Sequence, residues 1–361
     1  MKVLDFQEFA KKRLEGATKI AENAKASFAE EILGYESVIA YPSGNINTHP
    51  LAINKFKARF PVYEYNGIGE LNRLIQKEGI DLTYAIKSGE KDFLIRCDAP
   101  LMVHAVFPQS PLQVHGSSYA FVSEWLSDVC SNHIIPAVPH IIELPQIESN
   151  LRNILNIPNN SLVIGSYGGE LSFDIEFVKE EIAKLLDNRN DLFFVFLNIR
   201  PFTSHGRCLF LPGTSDSNYK VEFINTCDAM IHARLLGESF GLSCGEFSIK
   251  NRPVITFGKS SQTNHIKILG SKGLLYNNAS DLQNIILNLD RQEIHQQSWD
   301  CYSEQFNPKA VMTLFDQHLI QPALNNGLNT CHFDFSMKDH WVIARSRLKT
   351  KLIKKYPMLF A

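Results

Sequence analysis

Residues 232–248 run His-Ala-Arg-Leu-Leu-Gly-Glu-Ser-Phe-Gly-Leu-Ser-Cys-Gly-Glu-Phe-Ser, and they carry the clearest chemistry in the chain. Two carboxylates, Glu238 and Glu246, frame a glycine-bearing turn that opens a helix. The first N–H groups of a helix lack intrahelical partners and its dipole favours negative charge there. Ser239, Phe240, Gly241 and Leu242 therefore present an anion site. Glu238 sits at its mouth, and Glu246, eight residues on, lies about two helical turns along. Acids beside an anion site bind something other than the anion, and hydroxyls suit them. A sugar nucleotide offers both groups: a diphosphate for the helix N-terminus and sugar hydroxyls for the carboxylates. The competing reading is a surface helix with two solvated glutamates. The apolar Phe240, Leu242 and Phe247 in the same segment argue against it.

Short apolar runs flank this turn and must position it. Residues 228–231 and 252–257 read as buried strands. Further strands are expected at 2–6, 37–41, 60–65, 82–87, 101–107 and 119–123. A loop to Gly16 precedes a helix that Gly34 stops, with one long helix from Asp5 as the alternative. Another helix spans 68–77, and one more starts at Glu124. Residues 137–145, stiffened by Pro139 and Pro145, read as a linker, after which the pattern restarts. A short helix at 150–155, strands at 162–169, 192–197, 208–212 and 274–276, and helices at 175–186, 218–226 and 279–289 complete it. Strand and helix alternate throughout, which argues for α/β sheets whose ligands bind beyond the carboxyl ends of the strands. Two such units face each other across a cleft in this reading.

The turn resembles that of the retaining GT-B glycosyltransferases of the group 1, family four-like kind. Their second domain carries E-x7-E followed by a strand of the Pro-Val-Ile type. Here these are Glu238 to Glu246 and Pro253-Val254-Ile255. The resemblance implies an α/β GT-B fold of two Rossmann-like domains. An acceptor-side domain would span 1–144 and a nucleotide-sugar domain 145–310, and helices at 311–361 would cross back to the first. It also implies transfer of a hexose-like unit from a UDP- or GDP-sugar to a glycan or lipid-linked hydroxyl, with retention and without a bound metal. By resemblance, Glu238 holds donor-sugar hydroxyls and Glu246 the ribose hydroxyls. Gly16 matches the glycine of the first-domain loop, Gly168-Gly169 the phosphate-side loop, and His104 a histidine near the transferred sugar. His115 is assigned to the acceptor side, whereas His140 and His232 are read as structural.

The chain departs from the family where an arginine and a lysine grip the diphosphate. Ser166 stands at the arginine position, and Ser172 or Asp174 at that of the lysine. Missing charged hydrogen bonds to a leaving diphosphate remove transition-state stabilisation. Arg200, Lys220 and Arg234 are the candidate substitutes.

Composition narrows the rest. At 361 residues the chain exceeds one ordinary core, and 44% hydrophobic with 20% charged residues is usual for globular proteins. A net charge of −2 offers no basic field for nucleic acid. No apolar run reaches the roughly 18–20 residues of a membrane span. Seven cysteines without a C-x-x-C pair read as thiols in a reducing, cytoplasmic compartment. The basic end, 345–356, offers contact to anionic headgroups, or alternatively packs back as a terminal helix. Two other functions stay open: a sugar-nucleotide epimerase or hydrolase on the same fold, and a degenerate, non-catalytic binding subunit. A nicotinamide dehydrogenase is disfavoured, because no G-x-G-x-x-G follows a first strand.

Overall fold

The pattern that restarts after residues 137–145 becomes a second parallel sheet, matching the one formed before it. The computed structural model describes residues 1–7, 17–44 and 50–355, so Gly16 lies outside the described residues. The strands are β1 Lys2–Gln7, β2 Glu36–Pro42, β3 Val62–Tyr65, β4 Leu82–Lys87, β5 Leu101–Ala105 and β6 Ser118–Phe121, then β7 Leu162–Tyr167, β8 Leu192–Leu197, β9 Cys208–Leu211, β10 Ala229–His232, β11 Gly237–Glu238, β12 Val254–Phe257, β13 Gln262–Thr263 and β14 Leu274–Tyr276. The chain divides into two compact units, one of Met1–Ile141 with Gln305–Lys349, the other of Ile142–Glu304 with the segment that starts at Thr350.

The first unit holds one six-stranded sheet, ordered β3-β2-β1-β4-β5-β6, and every pair is parallel. Every residue of β4 and β5 is buried, because crossover segments cover both faces of a central parallel strand, and residues 101–107 accordingly read as an apolar run. The helix Ala17–Leu33 ends at Gly34, whose φ of +69° only glycine adopts freely. The helix Pro50–Lys57 escaped the sequence pattern. From the C-terminal region, Phe315 packs edge-on against Tyr84 with ring centres 5.1 Å apart.

The second unit repeats the plan. Its sheet runs β14-β12-β10-β7-β8-β9, again all parallel. The chain builds outward from β7 through β9, then returns to β10 on the other side of β7, as it does from β1 to β4 in the first unit. Each reversal creates a switch point where the loops beyond adjacent strands diverge, which is where open α/β sheets take ligands. One side of the sheet is filled by rings: Phe196 contacts Phe173, Phe202 and Phe210 with centres 5.0 to 5.3 Å apart.

Residues 150–155 form turns, not the short helix expected. The reason is Arg152, which is 4% exposed. Its guanidinium donates to the carbonyls of Thr226 and Ser161 and to Asp228 Oδ2 at 2.7 Å. Asp228 also accepts from the Val163 N–H and from Arg291. This buried hub ties the amino ends of β7 and β10 together. All seven cysteines are free thiols, and five are buried. No helix among the described residues is long and apolar enough to cross a membrane.

Candidate functional site

The loop beyond β10 is fixed from three directions before it reaches Glu238. Asp174 accepts the Leu235 N–H at 2.7 Å, and its own N–H donates to the Ala233 carbonyl. Ser260 Oγ donates to the Arg234 carbonyl at 2.9 Å, and Ser261 Oγ to that of Leu236 at 3.0 Å. Gly237 and Glu238 then pair in parallel with Gln262 and Thr263 as β11 and β13. Gly237 has φ +72°, and a Cβ there would collide with the Gln262 carbonyl, so only glycine serves. Gly241 repeats the requirement with φ +97° as the residue capping the helix Leu242–Ile249. Asn264 Nδ2 holds the Phe240 carbonyl at 3.1 Å, and Phe240 packs edge-on against Tyr302.

This geometry corrects the helical reading of the motif. Glu238 belongs to β11, and the helix starts only at Leu242, so Glu246 lies about one turn inside it. The two acids are separated by a turn, with the free helical N–H groups between them.

Glu238 receives two donors on one oxygen. Arg234 NH1 lies 2.8 Å from Oε1 and His232 Nε2 lies 3.2 Å from it. Burial by itself would raise this carboxyl, but the His232 hydrogen bond and the Arg234 charge bring it down to about 2. Glu238 is therefore ionised at neutral pH. Behind it stand Thr256 Oγ1, 3.0 Å from His232 Nδ1, and His265 Nε2, 2.9 Å from the same hydroxyl. Burial pushes His265 down to about 3, so its ring is neutral. With His265 donating to Thr256, Thr256 donating to His232 and His232 donating to Glu238, each member has one partner per proton. The tautomers follow from that network. His232, expected to be structural, is fully engaged between Thr256 and the Glu238 carboxylate, which it holds together with Arg234.

Glu246 is 5% exposed and accepts from Lys220 Nζ at 2.6 Å. Burial pushes its carboxyl up to about 8. Its second oxygen, Oε2, has no hydrogen-bond partner among the described residues, and neither does the hydroxyl of nearby Tyr167. The Tyr167 ring stacks on Phe247 at 6.0 Å and faces Lys220 Nζ at 5.8 Å. These two are among several buried polar atoms without a hydrogen-bond partner among the described residues, and each keeps hydrogen-bonding capacity that a bound group could use.

The three candidate diphosphate cations all carry acidic partners. Lys220 sits on Glu246, Arg234 on Glu238, and Arg200 on Glu170 at 3.3 Å on the exposed surface. Ser166 does not belong to the glycine loop: it lies inside β7, 4% exposed, opposite Phe196. Gly168 and Gly169 do form the loop beyond β7. Asn198 Nδ2 binds the Gly168 carbonyl at 2.8 Å, and Gly169 is open to solvent.

In the first unit, His104 is fully buried. Its Nδ1 is 2.8 Å from the Tyr84 hydroxyl and its Nε2 is 2.6 Å from the Val138 carbonyl. Burial holds its pKa well below the usual value. With both nitrogens engaged and no exposed edge, it has the geometry of a core histidine, not of a group facing a sugar. His115 is also buried, pushed down to about 4, with Nδ1 on the Gln113 carbonyl and Nε2 3.5 Å from Lys87 Nζ. Lys87 itself is ion-paired with Asp92. No cluster of three or more metal-ligating side chains occurs among the described residues.

Similarity to known structures agrees with this layout. The Anabaena protein HepE, in complex with UDP and glucose, shares 14% identity over 88% of this chain and 98% of its own, with a TM-score of 0.64. TarM shares 9% over 89% and 98%, at 0.66. A putative UDP-N-acetylglucosamine 2-epimerase from Listeria monocytogenes shares 12% over 88% and 96%, at 0.55. The fold is GT-B. No protein-family profile and no curated protein sequence matches this GT-B chain. At such identities the likeness fixes the architecture, and the chemistry rests on the side chains.

Proposed function

We propose that the chain is a retaining glycosyltransferase that moves a sugar from a nucleoside diphosphate sugar, UDP- or GDP-linked, to a hydroxyl of a glycan or lipid-linked acceptor. One observation carries this reading. Two differently tuned carboxylates flank the free N–H groups of a single helix start, Glu238 ionised before it and Glu246 inside it with an open oxygen. The UDP and glucose in the HepE structure support the same donor class.

In this mechanism the diphosphate lies against the N–H groups of Phe240, Gly241 and Leu242, which are fixed in place before the reaction. Fixed donors aimed at developing charge are the largest contribution a protein makes to such a step. Glu238 accepts from donor-sugar hydroxyls, and Glu246 Oε2 accepts from the ribose hydroxyls. As the bond from the sugar to the diphosphate oxygen breaks, negative charge grows on the diphosphate and positive charge on the sugar ring; the acceptor oxygen bonds the anomeric carbon from the same face, and its proton passes to the departing diphosphate. Arg234 shares its charge between Glu238 and the departing group. No step requires a bound metal.

The test is thermal shift with nucleoside diphosphates and nucleotide sugars on the wild type and Glu246→Ala, followed by transfer assays with the base that binds. A ligand at a hundredfold excess over its dissociation constant adds about 2.7 kcal/mol of apparent stability. A shift lost in the variant, followed by a product of retained anomeric configuration, supports the proposal. Nucleoside diphosphate released at equal rate without acceptor favours an epimerase or hydrolase. The pairing of Lys220 and Arg234 with acids favours a second reading, a non-catalytic binding subunit. Donor binding without turnover on any acceptor would select it.

A further inference from the structure

We propose that the exposed face of the terminal helix Met337–Lys355 docks on the surface of an anionic phospholipid bilayer. This rests on the surface alone and stands or falls independently of the transferase reading. The helix has two opposite sides with different surroundings. One side is used: Ile343 is 4% exposed, and Asp339 accepts from Asn132 Nδ2 at 2.9 Å, which seats that face on the first unit. The other side is open. Met337 is 86% exposed, Trp341 65%, Leu348 59% and Leu352 37%. Steps of four, seven and four residues place these four side chains along one stripe, opposite Ile343.

Its borders supply the charge. The helix holds seven lysines or arginines and one aspartate, in a chain whose net charge is −2. Lys338, Arg345 and Lys349, all exposed, run along one edge of the stripe, and Lys351 lies on the other. Arg345 stands over the Trp341 ring at 5.8 Å, which keeps a cation beside the aromatic group. Apolar and indole groups in the middle with ammonium and guanidinium groups beside them match acyl chains below and anionic headgroups around. An acidic protein groove would meet the charges, but it offers no reason for a continuous Met-Trp-Leu-Leu stripe. A second copy of this helix would meet the stripe but would set the basic edges against each other.

The experiment uses the full chain and vesicles of phosphatidylcholine alone or mixed in equal parts with phosphatidylglycerol. Sedimentation should recover protein with the mixed vesicles and not with the neutral ones, and added salt should release it, because salt screens the headgroup attraction. Trp341→Ser combined with Leu348→Ser should lower recovery about tenfold, in line with the apolar area withdrawn. Lys349→Glu with Lys351→Glu should lower it on mixed vesicles. All four positions are exposed, so the variants should keep the wild-type melting temperature. Tryptophan emission should shift to shorter wavelength on mixed vesicles in the wild type and lose that shift in Trp341→Ser. Absence of vesicle binding, equal binding to both vesicle types, or a dimer in solution dissociated by Trp341→Ser would each overturn the proposal.

Discussion

Lys220 Nζ lies 2.6 Å from Glu246 Oε1, across 26 residues of sequence, and both side chains are buried. The ammonium makes an anion tolerable in a place where burial drives the carboxyl up to about 8. Burial favours the neutral carboxyl and the Lys220 ammonium favours the anion, whose open oxygen is an acceptor.

Nucleoside diphosphate binding should therefore strengthen as pH rises through about 8, because the carboxylate form accepts from ribose hydroxyls. In Glu246→Gln the affinity should be weaker and lack that rise. Stability moves the other way. A carboxyl raised from 4.5 holds its proton in the folded state, so its contribution is full below pH 4.5 and is lost as pH climbs to about 8. Melting curves of wild type and Glu246→Gln between pH 5 and pH 9, alongside calorimetric titration with UDP, check both signs.

Glu238 has the opposite tuning, down to about 2. Its contribution to stability is present above pH 4.5 and disappears as pH falls towards 2. The melting-temperature gap between wild type and Glu238→Gln should close across that window. At neutral pH the same substitution should lower turnover roughly 100-fold, the order of losing one aimed polar group. The UDP dissociation constant should stay within about threefold, since the contact is to the sugar. An equal loss in both quantities would place Glu238 on the nucleotide instead.

Gly241→Ala should cost about 1–3 kcal/mol through its left-handed backbone. A Cβ at that position would sit 2.8 Å from the Cβ of His265, which links the strain to the His265–Thr256–His232 chain behind Glu238. Denaturant unfolding should register the loss, and the UDP-induced thermal shift should shrink with it.

Asp228→Ala should destabilise by about 3–5 kcal/mol, because it strands the buried Arg152 guanidinium. The hub lies at the amino ends of β7 and β10, away from the loops beyond their carboxyl ends. Folded protein at low temperature should therefore bind UDP as the wild type does. Arg200→Ala is the complementary control. Its solvated pair with Glu170 is worth about 0–1 kcal/mol, and neither stability nor donor affinity should move.

Local patterning alone placed most strands of the two sheets and put Glu238 and Glu246 on either side of a glycine-bearing turn. The strands β5, β7, β8, β10 and β12 are legible because a central parallel strand is covered on both faces. That requirement falls on consecutive residues and leaves an apolar run. Glu238 and Glu246 were legible because a glycine turn between two such runs is also a local pattern. The helix Pro50–Lys57 and the turns at 150–155 were not, since the first has a weak pattern and the second obeys Arg152, whose partners lie far along the chain. Tertiary structure alone decided what each site residue touches. Thr256, His265 and Tyr167 gave no sequence signal, because their contacts arise where β12, the helix Asn264–Leu269 and the end of β7 meet residues from distant parts of the chain. It also moved His104 from a site into the core: residues 101–107 look the same whether a polar atom meets a ligand or the Tyr84 hydroxyl and Val138 carbonyl. Local patterning reports burial, whereas the partner of a buried polar group is set by packing between distant elements.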